Sequence, residues 1–197
     1  MFSGLVEAKI EVLRSEQEQG GIRLVLARPT PFDDIALGDS IAIQGCCLTL
    51  VDLDERSMSF QAGEETLCRT GLGGVKPRDL LNCERSLKLG DRIGGHLVSG
   101  HVDGRGKVIA RSDLAEWSDL IIEAPVHLMR QVVSKGSITM EGVSLTVVDV
   151  TPNTFSVALI PHTLSHTTLG DLQVGSGVNL ETDMLAKYVQ RQLEPHV

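Results

Sequence analysis

The sequence predicts an all-β protein of two similar antiparallel barrels, followed by a C-terminal α-helix. Three observations carry this expectation. First, the chain repeats itself: GCCLTLVD begins at Gly45 and GVSLTVVD begins 97 positions later, at Gly142. Second, short segments in both halves alternate apolar and polar residues between Gly, Asp and Asn turns, the pattern of half-buried strands. Third, the last stretch, DMLAKYVQRQL, changes to helical periodicity and has no counterpart in the repeat.

The repeat holds one register over more than forty residues. Ser40 and Ile41 match Ser137 and Ile138, Thr66–Leu67 match Thr163–Leu164, Thr70 matches Thr167, and Asn82 and Glu84 match Asn179 and Glu181. SGLVEA at Ser3 matches SGHVDG at Ser99. Two copies are too few for a solenoid, so two fused domains are expected, with the boundary near Gly90–Gly95. The divisions are residues 1–95, residues 96–182 and a tail of residues 183–197.

Within the first half, IRLVLA, SIAIQ, CLTLVDL and SMSFQ read as strands. In the second half DLIIEA, SITME, SLTVVDV and TFSVALI do the same. Segments this short and evenly spaced suit a small Greek-key barrel in each half. A helix is expected over residues 126–134, with single turns near residues 66–70 and 163–167. In the tail, Asp183 can cap a helix whose apolar stripe is Met184, Leu185, Tyr188, Val189 and Leu193. Such a stripe packs either on its own domain or in a seam between subunits.

Bulk properties exclude several classes. A net charge of −8 argues against a nucleic-acid partner, which needs clustered cations. No apolar run approaches the roughly eighteen residues of a membrane span, and MFSGLVEAKI lacks the basic and apolar regions of a secretory signal. Cys46, Cys47, Cys68 and Cys83 form no C-x-x-C pair, so neither a disulfide framework nor zinc is expected, and a cytoplasmic, reduced chain fits best. His162 and His166 have helical spacing but no intervening H-E-x-x-H glutamate, and read as a solvated pair.

Inside the preserved motifs a few polar identities change. Cys47 becomes Ser144, Leu5 becomes His101 and Gly38 becomes Lys135. Shared pocket shape with unlike side chains is what a reaction between two copies of one substrate requires.

The motifs MFSGLVE, GDSIAIQGCCLTLV, LGDRIGGHLVSGHVDG, KGSITMEGVSLTVV, LIPHTLSHTTL and VNLETDMLAKYV together closely resemble the riboflavin synthase family, from Met1 to about Leu193. The resemblance implies two six-stranded barrels, a C-terminal helix that assembles a homotrimer, and no cofactor. It implies exchange of a four-carbon unit between two molecules of 6,7-dimethyl-8-ribityllumazine, giving riboflavin and 5-amino-6-ribitylaminouracil. The site would lie between the N-terminal barrel of one subunit and the C-terminal barrel of the next. Whether the assembly docks onto the enzyme that makes lumazine stays open.

By resemblance, the N-terminal pocket is lined by Gly4, Leu5, Val6, Ser40, Cys47, Leu48, Thr49, Gln61, Ala62, Gly63, Glu64, Glu65 and Thr66. The C-terminal pocket would use Gly100, His101, Val102, Lys135, Ser144, Leu145, Thr146, Ala158, Leu159, Ile160, Pro161, His162 and Thr163. Cys47, Ser144 and His101 are the candidate catalytic residues. The sequence leaves open whether Cys47 acts as nucleophile, base or hydrogen-bond partner. Phe2 is expected either to cover the site of a neighbouring subunit or to anchor the terminus. His96 is expected to have a structural role or to orient the loop that carries His101. Gln44 and Glu141 stand where the family often has Asn and Asp, which questions any hydrogen bond made there. A non-catalytic lumazine- or flavin-binding antenna protein of the same fold is the alternative. A flavin-dependent oxidoreductase barrel is disfavoured because no G-x-G-x-x-G follows a strand.

Overall fold

Period-two burial is the pattern from which each half closes into a barrel. In the strand Cys46–Leu53, Leu48 and Leu50 point into the core while Cys47, Thr49 and Val51 point out, and Val143–Val150 repeats the pattern with Leu145 and Val147 inward. The computed structural model describes residues 1–193. The first half contains β1 (Ala8–Glu18), β2 (Gly21–Ala27), β3 (Ser40–Ile43), β4 (Cys46–Leu53), β5 (Ser57–Gly63), α1 (Glu64–Arg69) and β6 (Leu80–Arg85). The second contains β7 (Gly104–Leu114), β8 (Trp117–Glu123), α2 (Val126–Met129), β9 (Ser137–Met140), β10 (Val143–Val150), β11 (Thr154–Leu159), α3 (Pro161–His166) and β12 (Gly177–Thr182). The tail helix is α4 (Met184–Leu193); the final four residues of the expected tail lie outside the described residues.

Strand order is β1-β2-β5-β4-β3-β6 in one closed barrel, and the second barrel has the same order with β7, β8, β11, β10, β9 and β12 in the corresponding places. The six-stranded antiparallel architecture is therefore as expected. The strands not read from the sequence are the outer pair of each copy, β1 with β6 and β7 with β12. α2 stops at Met129, shorter than the expected 126–134 helix. Matching bulges bend the long strands, between Val12 and Arg14 in β1 and between Val108 and Ala110 in β7.

Each barrel has its own apolar core. Met58 and Phe60 in the first correspond to Phe155 and Val157 in the second, so the aromatic ring moves by one inward position between copies.

A second, polar layer joins the barrels through one equivalent asparagine in each copy, Asn82 and Asn179. Asn82 Nδ2 donates to the Glu141 carbonyl (2.8 Å) while its Oδ1 accepts from Thr168 N (2.8 Å). Asn179 does the reverse, donating to the Gln44 carbonyl (2.9 Å) and accepting from Gly71 N (2.8 Å). At the centre the β3–β4 and β9–β10 turns meet. Residues 44–45 and 141–142 all have positive φ, the two-residue hairpin geometry that favours glycine at its second position. A Cβ on Gly45 would lie 2.6 Å from Gly142 N, so only glycine allows the turns to touch.

Gln44 and Glu141 keep their hydrogen bonds despite the extra methylene. Gln44 Oε1 accepts from Asn82 N (2.7 Å), and Glu141 Oε1 accepts from Asn179 N. Complete burial pushes the Glu141 carboxyl up to about 8. The doubt raised by these two departures from the family pattern is thereby removed.

Candidate active site

The polar residues singled out by the repeat lie on the outer faces of the barrels. Cys47 and Thr49 project outward from β4, and Ser144 and Thr146 do so from β10. Leu48, Ala62, Leu145 and Leu159 face inward and are buried in the cores, so their side chains shape the strands beneath the pockets rather than line them. Their backbones remain beside the outward residues.

The segments before each barrel cross to the other one, which corrects the expected grouping. Cys47 N donates to the Gly100 carbonyl (2.8 Å), and Ser144 N donates to the Gly4 carbonyl (2.8 Å). Val102 packs on the first core and Val6 on the second. Gly4, Leu5 and Val6 therefore belong with Ser144, and Gly100, His101 and Val102 with Cys47. The close fit explains the glycines: a Cβ on Gly4 would lie 2.5 Å from Ser144 Cβ, and one on Gly100 2.7 Å from Cys47 Cβ.

The first cradle is an open cavity of about 230 Å3 lined by Cys46, Cys47, Glu65, Thr66, Arg69, Thr70, Gly100, His101 and Val102. It unites two candidate catalytic residues, Cys47 and His101, that the sequence assigned to different pockets. Beneath them, burial pushes the Cys46 thiol up to about 12, so Cys46 stays protonated. Gln61 turns away and donates to Glu18 Oε2 (2.7 Å).

The second cradle holds Ser144 against His96. His96 Nδ1 lies 2.7 Å from Ser144 Oγ, and Nε2 lies 3.2 Å from Thr139 Oγ1. Burial lowers the imidazole pKa, with the Asp183 carboxylate opposing. A neutral ring can accept the Ser144 proton through Nδ1 while Thr139 accepts the N–H at Nε2. The sequence points to no more than a structural or loop-orienting part for His96; the repeat does not flag it, because the residue has no counterpart in the first copy.

Around the rims the copies diverge again. On α1, Glu65 and Arg69 form an ion pair at 3.3 Å. On α3 the corresponding His162 and His166 stack with ring centroids 4.1 Å apart, and both are exposed, with His166 Nδ1 2.9 Å from the His162 carbonyl. Ser40 pairs with Thr49 across β3–β4, as Ser137 does with Thr146. Gly63, Glu64, Ala158, Ile160 and Pro161 are exposed at the ends of β5 and β11, and Thr163 is half-buried on α3.

Two expected contacts change character. Phe2 is fully buried, bridged to Val98 and packed with Ala42 and Cys47, so within the chain it anchors the terminus behind Cys47. Lys135 is exposed at a left-handed position, φ 65°, where the first copy has Gly38 at 91°. It precedes β9 and is not brought against Ser144.

A family model described as the lumazine binding domain matches residues 3–86 and again residues 99–183. The riboflavin synthase of Mycobacterium tuberculosis is 45% identical over 195 residues, 97% of each chain. That of Actinobacillus pleuropneumoniae is 39% identical over 98% of this chain and 90% of its own length. That of Bacillus subtilis is 36% identical, covering 98% of this chain and 90% of its own length. Among solved structures, LumP with bound riboflavin superposes with a TM-score of 0.86 over 92% of this chain and 99% of LumP, at 21% identity. LumP with bound 6,7-dimethyl-8-(1'-D-ribityl) lumazine gives 0.83 at the same identity and coverage.

Proposed function

The chain belongs to the riboflavin synthase family, a family of transferases, and from that premise we propose how its two cradles divide the reaction. Two molecules of 6,7-dimethyl-8-ribityllumazine bind, one per cradle, and a four-carbon unit moves from one to the other. The products are riboflavin and 5-amino-6-ribitylaminouracil. The observation that carries this reading is a pair of cradles with one backbone plan and unlike polar groups: Cys47 with His101 in one, Ser144 with His96 in the other.

Identical reactants need matching recognition. The outward Thr49 and Thr146 offer each heterocycle and ribityl chain uncharged donors and acceptors. They also need a tie-breaker, because one molecule must give carbon and the other receive it. The conjugated ring makes the C7 methyl group acidic, so the substrate supplies its own carbanion and the protein supplies alignment and proton transfer. Alignment of two bound reactants contributes roughly 7–11 kcal/mol to lowering the barrier, and a positioned proton carrier about 10²–10⁴-fold. His96, held neutral and hydrogen-bonded to Ser144, is suited to take a proton from the serine or from a water it fixes; His101 is suited to the same task beside Cys47.

The two cradles that react are proposed to come from neighbouring subunits of a homotrimer. The support is α4, whose Leu185, Tyr188, Val189 and Leu193 are all exposed. Leu185, Val189 and Leu193 line a groove of about 490 Å3 that also takes in Val133. Lys135, free in one chain, would then reach a substrate in the adjoining subunit. Among the described residues no helix is long and apolar enough to cross a membrane, and a cytoplasmic setting is proposed from the family.

Incubation of the purified protein with the lumazine alone tests the reading. Riboflavin should accumulate, seen as its yellow absorbance, at half the molar amount of lumazine consumed. Absence of riboflavin above the blank rate would favour the antenna-type alternative.

A further inference from the structure

Each crossing arm is held by a buried carboxylate that the reaction does not itself use. Glu84 Oε1 accepts from Ser3 N (2.7 Å) and Ser3 Oγ (2.8 Å), and Oε2 accepts from Gly4 N (3.1 Å). Glu181 accepts from Ser99 N (2.7 Å), Ser99 Oγ (2.7 Å) and Gly100 N (2.9 Å). Ser99 Oγ additionally accepts from His101 N (3.2 Å). Both carboxyls are almost entirely buried.

The ownership is crossed. Glu84 belongs to the first barrel, yet the arm that it grips presents the Gly4 carbonyl to Ser144 in the second. Glu181 belongs to the second barrel, yet its arm presents the Gly100 carbonyl to Cys47 and carries His101. We propose that Glu84 and Glu181 are crossed positioning residues, each fixing from its own barrel the wall of the opposite cradle. A carboxylate is required because each must accept three donors at two oxygens. A glutamine would set an amide N–H₂ against a backbone N–H and lose at least one bond.

This rests on the proposed two-cradle reading and deepens it: geometry in each cradle is set from the other half, so neither is shaped independently. The arms differ in what they carry, Leu5 on one and His101 on the other. Loosening the Glu181 arm therefore disturbs His101 directly, whereas loosening the Glu84 arm disturbs the backing of Ser144 and the Ser3 carbonyl that accepts from His96 N (3.2 Å).

The test compares Glu181→Gln and Glu84→Gln in the full-length protein, using alkylation of Cys47 by iodoacetamide resolved by peptide mass spectrometry. Glu181→Gln should change the Cys47 rate about tenfold or more, because its covering arm is released; Glu84→Gln should leave it within about twofold. The NMR titration of His96 should respond in the opposite way, shifting in Glu84→Gln and holding in Glu181→Gln. If either variant fails to fold, Ser99→Ala, which removes two bonds, and Ser3→Ala, which removes one, should show the same crossed pattern more weakly. Equal disturbance of both probes by both variants, or of neither, would overturn the assignment. Titration of the unaltered protein with riboflavin separates this from the parent reading: one ligand per chain would refute two working cradles while leaving the crossed reactivities to be judged alone.

Discussion

The two cradles are built to one plan and finished differently. The first is an open hollow where Cys47 faces His101, with an ion pair on its rim. In the second, the chain linking the barrels comes back over the strand, so that His96 sits on Ser144 and a stacked histidine pair replaces the ion pair. Backbone geometry is common to the two cradles, and their side chains differ where the proposed reaction asks for unlike treatment of two reactants.

The comparison breaks most completely if the cradles cannot be brought together. Truncation before Met184 removes the exposed apolar face of α4, with the Gln131–Gln190 hydrogen bond and the Lys187–Asp103 ion pair, but none of the strand-to-strand hydrogen bonds that close the barrels. The truncated protein should remain β-folded, sediment as a smaller species, and lose riboflavin formation by at least about a hundredfold. Trimers of full activity after truncation would mean that the reacting cradles meet in some other way.

Next in size is making the cradles alike. Cys47→Ser gives both the Ser144 hydroxyl, with little change in volume. Turnover should fall by about 10²-fold while half-saturation by lumazine shifts little, since only the proton-handling group is altered. Parallel loss of binding and turnover would demote Cys47 to packing. Ser144→Cys should likewise lower turnover, and the double exchange should not restore it, because His96 is fixed on only one side.

The inward-facing half of this arrangement could be read from sequence, and much of the outward-facing half could not. Strands such as β4 and β10 announce themselves because Leu48, Leu50, Leu145 and Val147 alternate with polar residues. β6 and β12 did not, because both of their faces are buried. Asn82 and Glu84 point toward the other barrel, as do Asn179 and Glu181, so the alternation is replaced by a continuous buried run. β1 and β7 were hidden by their charged, solvent-exposed outer halves. The exchange of arms was invisible for a different reason: a repeat shows that Gly4 corresponds to Gly100, and that correspondence is equally satisfied whichever barrel each arm joins. His96 lacked a counterpart, so no comparison between copies could single it out.

The seam between halves offers a third and smaller effect. Gln44 and Glu141 hold equivalent places, yet only Glu141 titrates, and burial pushes it to about 8. Between roughly pH 5 and pH 8 the folded protein keeps this proton while the unfolded chain has lost it. Stability from this group is thus full below about pH 5 and declines as pH rises to 8, by a few kcal/mol at most, on the order of 1.4 kcal/mol per pH unit. The Arg105 charge moderates the effect. Glu141→Gln copies the first half into the second, retains an acceptor for Asn179 N, and should flatten the decline in thermal midpoint over that window. An unchanged slope would place the titration elsewhere.

Smallest in stability, and sharpest in meaning, is Lys135. A non-glycine residue at φ 65° is disfavoured by about 1 kcal/mol relative to glycine, and the first copy has Gly38 in the corresponding place. Both residues donate the same backbone bond, Lys135 N to the Val147 carbonyl (2.8 Å) and Gly38 N to the Leu50 carbonyl (2.9 Å), so the turn itself does not need a lysine. Lys135→Gly should leave the folded protein as stable or more stable by up to about 1 kcal/mol, since relief of strain is partly offset by a more flexible unfolded chain. If the ammonium reaches a substrate in the adjoining subunit, the same variant should raise the lumazine concentration for half-maximal rate by about tenfold, and Lys135→Arg should recover part of it. A variant that is more stable and equally active would show that the second copy tolerates this strain for no catalytic gain, and Lys135 would leave the site.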